Sequence, residues 1–168
     1  MDFFAHIAWS MILFGKFFNF SYLIQISFFS VLPDLLWGIP AVFYMIYFML
    51  KNRKILSWKK RPTKFTKKLE NLYNSSHSFS VMILFFFIFS IIFSQFYWPI
   101  LFGWGLHLLL DIFTHKDSIY FKQKPFYPLS NYSVRGYIWH GHWKFLILNW
   151  SAIILVYILF YGIRILGF

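Results

Sequence analysis

The chain has no cysteine. That excludes disulfides, thiolate zinc sites and a cysteine nucleophile, so any metal it binds must be held by histidines and carboxylates. Acidic residues are nearly as scarce, five Asp and Glu against sixteen Lys and Arg in 168 residues. Charged residues together make up 12%, about half of what a soluble domain carries, which takes the chain out of the soluble class. The N-terminal MDFFAHIAWSMILFGK lacks the basic start and small-residue cleavage site of a signal peptide, so it is expected to stay as a first helix. Low-complexity linkers and internal repeats are missing too, and the length suits a single domain over 1–168.

What is present is apolar. Hydrophobic residues are 60% of the chain, with 25 Phe and 8 Trp, and the mean hydropathy is +0.60. A core this small cannot bury that much surface, so a bilayer has to take the rest. Apolar runs fall at 3–14, 17–33, 35–50, 79–98, 99–113 and 145–166. A full span needs about 20 apolar residues, about 17 at the least; by that measure 17–33, 79–98 and 145–166 span, and the others are short, tilted or protein-buried. The long stretch from Phe79 to Phe113 should break near Gln95–Pro99, because proline disfavours continuing a helix through it. The pattern predicts an all-α, polytopic membrane helical bundle of about five to six helices, some of them partial.

The net charge of +11 is concentrated rather than spread. Nine of the sixteen basic residues lie in KNRKILSWKKRPTKFTKK, residues 51–68, and a second connection carries Lys116, Lys122, Lys124, Arg135 and Lys144. Basic connections beside membrane segments mark the cytoplasmic side and attract anionic lipid. Membrane lipid, not nucleic acid, is therefore the expected partner, and 51–76 and 114–144 are expected in the cytoplasm. The hairpin 79–113 then dips in and returns, bringing SSHS (75–78) and HLLLDIFTH (107–115) to a similar depth.

Against this background a few polar residues stand out. His107, Asp111 and His115 fall on one stripe of a helix, at a spacing that presents their side chains the same way. A carboxylate inside a membrane segment is costly and faces a bundle interior or a polar cavity. Two readings of the His107/Asp111 pair stand side by side: metal ligands, or a neutral histidine clasping a buried aspartate. His77 follows a helix-capping stretch, Asn74 to Ser76, and Asp34 follows a proline as turn residues do. His6 sits on an otherwise apolar helix. Yet five of the eleven Asp, Glu and His residues (His6, Asp34, His77, His107, Asp111) lie inside or at the ends of apolar segments. A His- and carboxylate-lined pocket in a helical bundle is a way to hold a metal without cysteine, and mixed N and O ligands suit Zn²⁺ or Mn²⁺. Thr114, His115 and Ser76 are further candidates, as an extra ligand or as hydrogen-bond partners of the ligands. The late WHGHW (139–143) reads as an interfacial anchor, with Trp139, Trp143 and Lys144 ahead of the last span.

AHIAWS near the start, LPD at 32–34, SHS at 76–78 and HLLLDIFT at 107–114, followed by FYPLS at 126–130, occur in an order that resembles the bacterial membrane-bound metal-dependent hydrolase family. That family carries a G-H start, L-P-D-x-D, H-R-G-x-T-H-S and H-x3-D-x2-T. The resemblance covers roughly residues 1–130. It implies a multi-helix protein of the bacterial cytoplasmic membrane with hydrolase activity, distantly similar to zinc-dependent phospholipase C. The chain departs from the pattern at Leu36, where a second carboxylate would stand, and at Leu72 and Tyr73, where His and Arg would. Those departures put a second metal site in doubt and remove a partner for phosphate. They admit a one-metal enzyme, or a relative that kept a site and lost the reaction.

The expected function is hydrolysis of a lipid or membrane-associated ester or phosphoester, with His6, Asp34, His77, His107 and Asp111 lining the site and Asp34 also the candidate general base. The alternative is a non-catalytic membrane protein that binds a partner or anionic lipid through 51–68.

Overall fold

The computed structural model describes residues 2–52, 63–115, 122–136 and 143–162. The chain enters its first helix, α1 (Phe3–Phe14), through Asp2, whose carboxylate accepts the Ala5 amide at 2.9 Å. The next element, α2 (Phe20–Asn52), overturns one expectation. Where the sequence suggests separate runs at 17–33 and 35–50 with Asp34 at a turn, one 33-residue helix passes through both and carries Pro33 and Pro40 inside it. A proline inside an apolar helix is tolerated where neighbours re-satisfy the backbone around it. Here the Ser30 hydroxyl donates to the Ser27 carbonyl at 2.7 Å, and the Ser30 carbonyl takes a hydrogen bond from another helix. Asp34 is thus a mid-helix residue.

From Thr63 the chain returns as α3 (Thr63–Ser76), packed along α2. This return carries His77 back to the level of Asp34. α3 meets α4 (Phe79–Ile92) at a bend of 59°. The N-cap of α4 is Ser78, accepting from the Ser80 amide, so Asn74–Ser76 close α3 instead of opening the next helix, and His77 lies in the bend. α4 ends at Ile92, so 79–98 is not one straight span. The expected break follows it, with Ser94 at φ 53. After Pro99 a π-helical turn (Ile100–Trp104) leads into α5 (Gly105–Thr114). The last helix, α6 (Trp143–Tyr161), packs against α1, joined by Trp9 Nε1 donating to Asn149 at 3.1 Å and the Tyr161 hydroxyl donating to the Ile12 carbonyl at 3.1 Å.

The described residues are therefore all-helical, with six helices and no strand; Gln123 and Val134 form an isolated bridge in the 122–136 connection. Two helices, Phe20–Lys51 and Trp143–Tyr161, are long and apolar enough to cross a membrane, and α3 with α4 makes a third only as a bent pair. Phe43, Leu50, Ile91, Leu148 and Leu155 are among many large apolar side chains on the outside. In lipid such a surface is satisfied, and helices associate through close packing and internal hydrogen bonds instead of hydrophobic burial. Phe29, Met82, Phe86, Ile100, Trp104 and Leu108 form the tight centre. A ladder of hydroxyls zips α1 to α2, Ser10 donating to Ser27 at 3.1 Å and Ser30 to the His6 carbonyl at 3.3 Å. Of the basic block at 51–68, residues 53–62 lie outside the described residues, as do Lys116, Trp139, His140 and His142. Trp143 opens α6 and is exposed, with the Lys144 ammonium over its ring.

Candidate metal centre

Four elements deliver the polar cluster. α2 brings Asp34, the α3–α4 bend His77, α5 His107 and Asp111, and α1 brings His6. Asp34, His77, His107 and Asp111 each point one potential ligand atom inward, and these atoms all lie within 4.8 Å of one another. The individual distances are 3.2 Å from His107 Nε2 to Asp111 Oδ2, 3.4 Å from His77 Nε2 to Asp34 Oδ1, 3.7 Å from His77 Nε2 to Asp111 Oδ2, and 4.0 Å from His107 Nε2 to Asp34 Oδ1. A tetrahedron with zinc-ligand lengths of about 2.0–2.1 Å has edges of about 3.3–3.4 Å. The observed edges bracket that length, so the four residues could hold a metal ion.

The backbone fixes which nitrogen faces the cluster. His107 Nδ1 is 2.7 Å from the Ser30 carbonyl, which can only accept, so Nδ1 carries the proton in the neutral ring and Nε2 presents its lone pair. His77 repeats the arrangement: Nδ1 donates to the Tyr73 carbonyl at 3.1 Å and lies 2.9 Å from Ser76 Oγ. A metal-binding histidine characteristically gives its second N–H to a backbone carbonyl or carboxylate in this way. Both inward Nε2 atoms are buried and make no hydrogen bond. Leaving such groups unsatisfied is costly, and a cation would use both lone pairs. Two carboxylates beside two neutral imidazoles also match a divalent charge.

The surroundings hold these rings rigidly. Tyr73, standing where the resembled motif has Arg, stacks on His77 with centroids 4.1 Å apart. Trp104, fully buried, donates Nε1 to the Ser76 carbonyl at 2.9 Å and so pins the residue before His77. Ser78 donates to the carbonyls of Pro125 and Tyr127, tying FYPLS to the site. Three sides are closed, His77, His107 and Asp111 being no more than 1% exposed at their side chains, whereas Asp34 is 30% exposed. It ends a groove of about 260 Å³ whose other walls are Phe3, Leu35, Gly38, Ile39, Val42 and Phe43.

Of the residues singled out in the sequence, Asp34, His77, His107 and Asp111 form the four-ligand group. His6 lies beside it, buried, its Nε2 3.3 Å from Asp111 Oδ1 and its ring stacked on His107. His115 reaches Asp111 Oδ1 from the other side at 3.1 Å. Ser76 acts on His77 as a neighbouring hydroxyl, and Thr114 closes α5 outside the four-ligand group. Leu36 is 37% exposed; two residues along a helix turn about 200°, so that position faces away from Asp34 and the site. Ser30, Tyr73 and Trp104 escaped the sequence reading. Two of them act through backbone carbonyls, which leave no side-chain signature. Comparison of the chain with protein-family models, with curated proteins and with solved structures gives no match.

Proposed function

We propose that this protein is a metal-dependent hydrolase of a bacterial cytoplasmic membrane, acting on a lipid or a membrane-associated ester or phosphoester. The observation that carries the reading is the position of Asp34, the one partly open member of the four-ligand group, at the polar end of an apolar groove. Such a groove suits an amphiphile, with its chain along Leu35, Ile39, Val42 and Phe43 and its polar group at the cluster. A divalent cation there, Zn²⁺ or Mn²⁺, would polarise the scissile group and bring the pKa of a water toward about 7. His77, His107 and Asp111 hold the centre from the dry side, while Asp34 serves as fourth ligand or, left uncoordinated, as general base. The motif order that resembles the membrane-bound hydrolases supports the same reading.

The test is turnover by the detergent-purified, metal-loaded chain on phospholipids and soluble phosphoesters, with products identified by mass spectrometry. Asp111→Asn should reduce turnover at least about 10²-fold, the scale at which even partners of metal ligands act, with expression near normal. Equal turnover in that variant would end the proposal. The alternative, a non-catalytic protein binding anionic lipid or a partner through the basic segment, draws support from Lys67 and Lys68, both exposed on α3. It would lead if the loaded protein hydrolyses none of these substrates but loses vesicle binding when those two lysines are neutralised.

A further inference from the structure

Two glycines near the metal centre, Gly103 and Gly38, stand inside helical segments, where glycine is disfavoured against alanine. Gly103 has a packing reason, because a Cβ there would meet the backbone of α2 at Ile26 and Ser30. Gly38 has none: nothing lies within 4 Å of a Cβ at that position. An interior glycine that packs against nothing points to a function.

The space at Gly38 belongs to the groove that ends at Asp34. Asp34, Gly38 and Val42 are four residues apart, as are Leu35, Ile39 and Phe43, so the two rows share one face of α2. A side chain at 38 would therefore stand between those of Asp34 and Val42, about 6 Å along the helix from the carboxylate. Phe3 adds a wall from α1. From Asp34 to Phe43 the helix rises about 13 Å. The groove's volume of about 260 Å³ is below the roughly 300–1,000 Å³ of pockets that take drug-sized ligands. It is a narrow trough, with room for one hydrocarbon chain and not a pair. Ile39, Val42 and Phe43 are exposed, so it opens sideways onto the apolar outside of the bundle. Asp34 is its one charged wall, at the end beside the cluster.

We infer that Gly38 is the specificity-determining residue of this groove. Its missing side chain leaves room for a single hydrocarbon chain of an amphiphile, which enters sideways from surrounding lipid and sets its polar linkage at Asp34. The first methylenes beyond that linkage lie over Gly38, and any larger side chain there lifts the chain off α2. The cleavage of the linkage rests on the hydrolase reading above; the occupancy of the groove does not.

Two measurements test this on the full chain. The first compares wild type, Gly38→Ala and Gly38→Phe on p-nitrophenyl alkyl phosphodiesters and carboxylic esters, with chains from ethyl to decyl. At each chain length the ratio of variant to wild-type kcat/KM cancels partition into detergent. For Gly38→Phe that ratio is expected to fall at least about tenfold from the shortest chain to the longest, the scale on which apolar pockets discriminate. An equal fall at every length, already present in Gly38→Ala, would make Gly38 a backbone residue and overturn the inference. The second measurement needs no turnover: photo-crosslinking in vesicles by a phosphatidylglycerol with a diazirine in one acyl chain. Adducts on Ile39, Val42 and Phe43 should exceed those on Leu148 and Leu155, which are exposed on α6, and the excess should vanish in Gly38→Phe. No excess in wild type would overturn the chain site while leaving hydrolysis of the short substrates standing. An excess that Gly38→Phe abolishes, in a metal-loaded protein that cleaves none of the substrates, would keep the chain site and overturn the hydrolase reading.

Discussion

His107 shows how much one residue can be asked to do. Its Nδ1 ties α5 to α2 through the Ser30 carbonyl, and its Nε2 faces the cluster. The two roles can be separated, because an asparagine amide nitrogen falls near the position of Nδ1 and nothing in asparagine reaches Nε2. His107→Asn is therefore expected to keep the melting temperature of the metal-free protein near wild type while losing bound metal. His107→Ala should lose both, with about 1–3 kcal/mol of stability going with the missing donor. Thermal unfolding in detergent beside metal analysis checks the pair; if the asparagine variant binds metal as wild type does, His107 is a structural clasp. The stripe of His107, Asp111 and His115 was legible in the sequence because helical spacing puts them on one face. Which nitrogen points where was not legible, because it depends on a carbonyl 77 residues away in sequence.

At the scale of elements, the site depends on how closely the π-helical turn before α5 approaches α2. Gly103 sits at that crossing, and a Cβ there would overlap the Ile26 carbonyl oxygen and come within 2.9 Å of the Ser30 amide nitrogen and Phe29 Cβ. Two of those three atoms are backbone, so the neighbour cannot rotate away. Gly103→Ala is expected to destabilise by about 1–3 kcal/mol, as overpacking does, and to lower metal affinity by shifting His107, four residues on. Gly38→Ala is the control. Nothing lies within 4 Å of a Cβ at that position, so the change should be neutral or stabilise by up to about 1 kcal/mol through helix propensity. Melting curves of the two variants decide it, and equal destabilisation would mean that the crossing is looser than described. Proline misled the sequence reading here. Pro33 read as part of a turn before Asp34, yet α2 passes through it, with the Ser30 hydroxyl bonding the Ser27 carbonyl and His107, from a packed neighbour, bonding the Ser30 carbonyl close to Pro33. Local propensity loses to tertiary satisfaction in an apolar setting.

Across the whole molecule the bundle has two ends. At one, the Tyr97 hydroxyl donates to Gln25, Phe18 packs on Phe102, and Lys16 lies over Phe160 and Tyr161. At the other, the 122–136 connection is tied to Ser78 and Phe79 beside the metal centre. That second end carries Lys122, Lys124 and Arg135, and from this charge bias we propose that it faces the cytoplasm. A chain without cysteine makes this simple to test, since any single introduced thiol is the only one present. Leu129→Cys and Phe17→Cys, at positions 83% and 74% exposed, should label from opposite sides in intact cells: Phe17→Cys directly with an impermeant maleimide, Leu129→Cys only after permeabilisation. Labelling of both from the same side would remove the proposed cytoplasmic face of the centre.

The sequence by itself determined the class of material: an apolar, cysteine-free, helical chain suited to a membrane, with a few ionisable groups inside or at the ends of its apolar segments. Composition and helical period suffice for that, because bilayer and backbone each impose a constraint read residue by residue. It also placed the hairpin break before Pro99 and the shared depth of His77 with His107 and Asp111. Only the tertiary structure decided that α2 is unbroken, that α3 folds back along it to set Asp34 level with His77, and that Asp111 turns its two oxygens to different histidines. Each of these depends on contacts between residues far apart in the chain. Such contacts are set by packing, for which a single sequence carries no periodic signal.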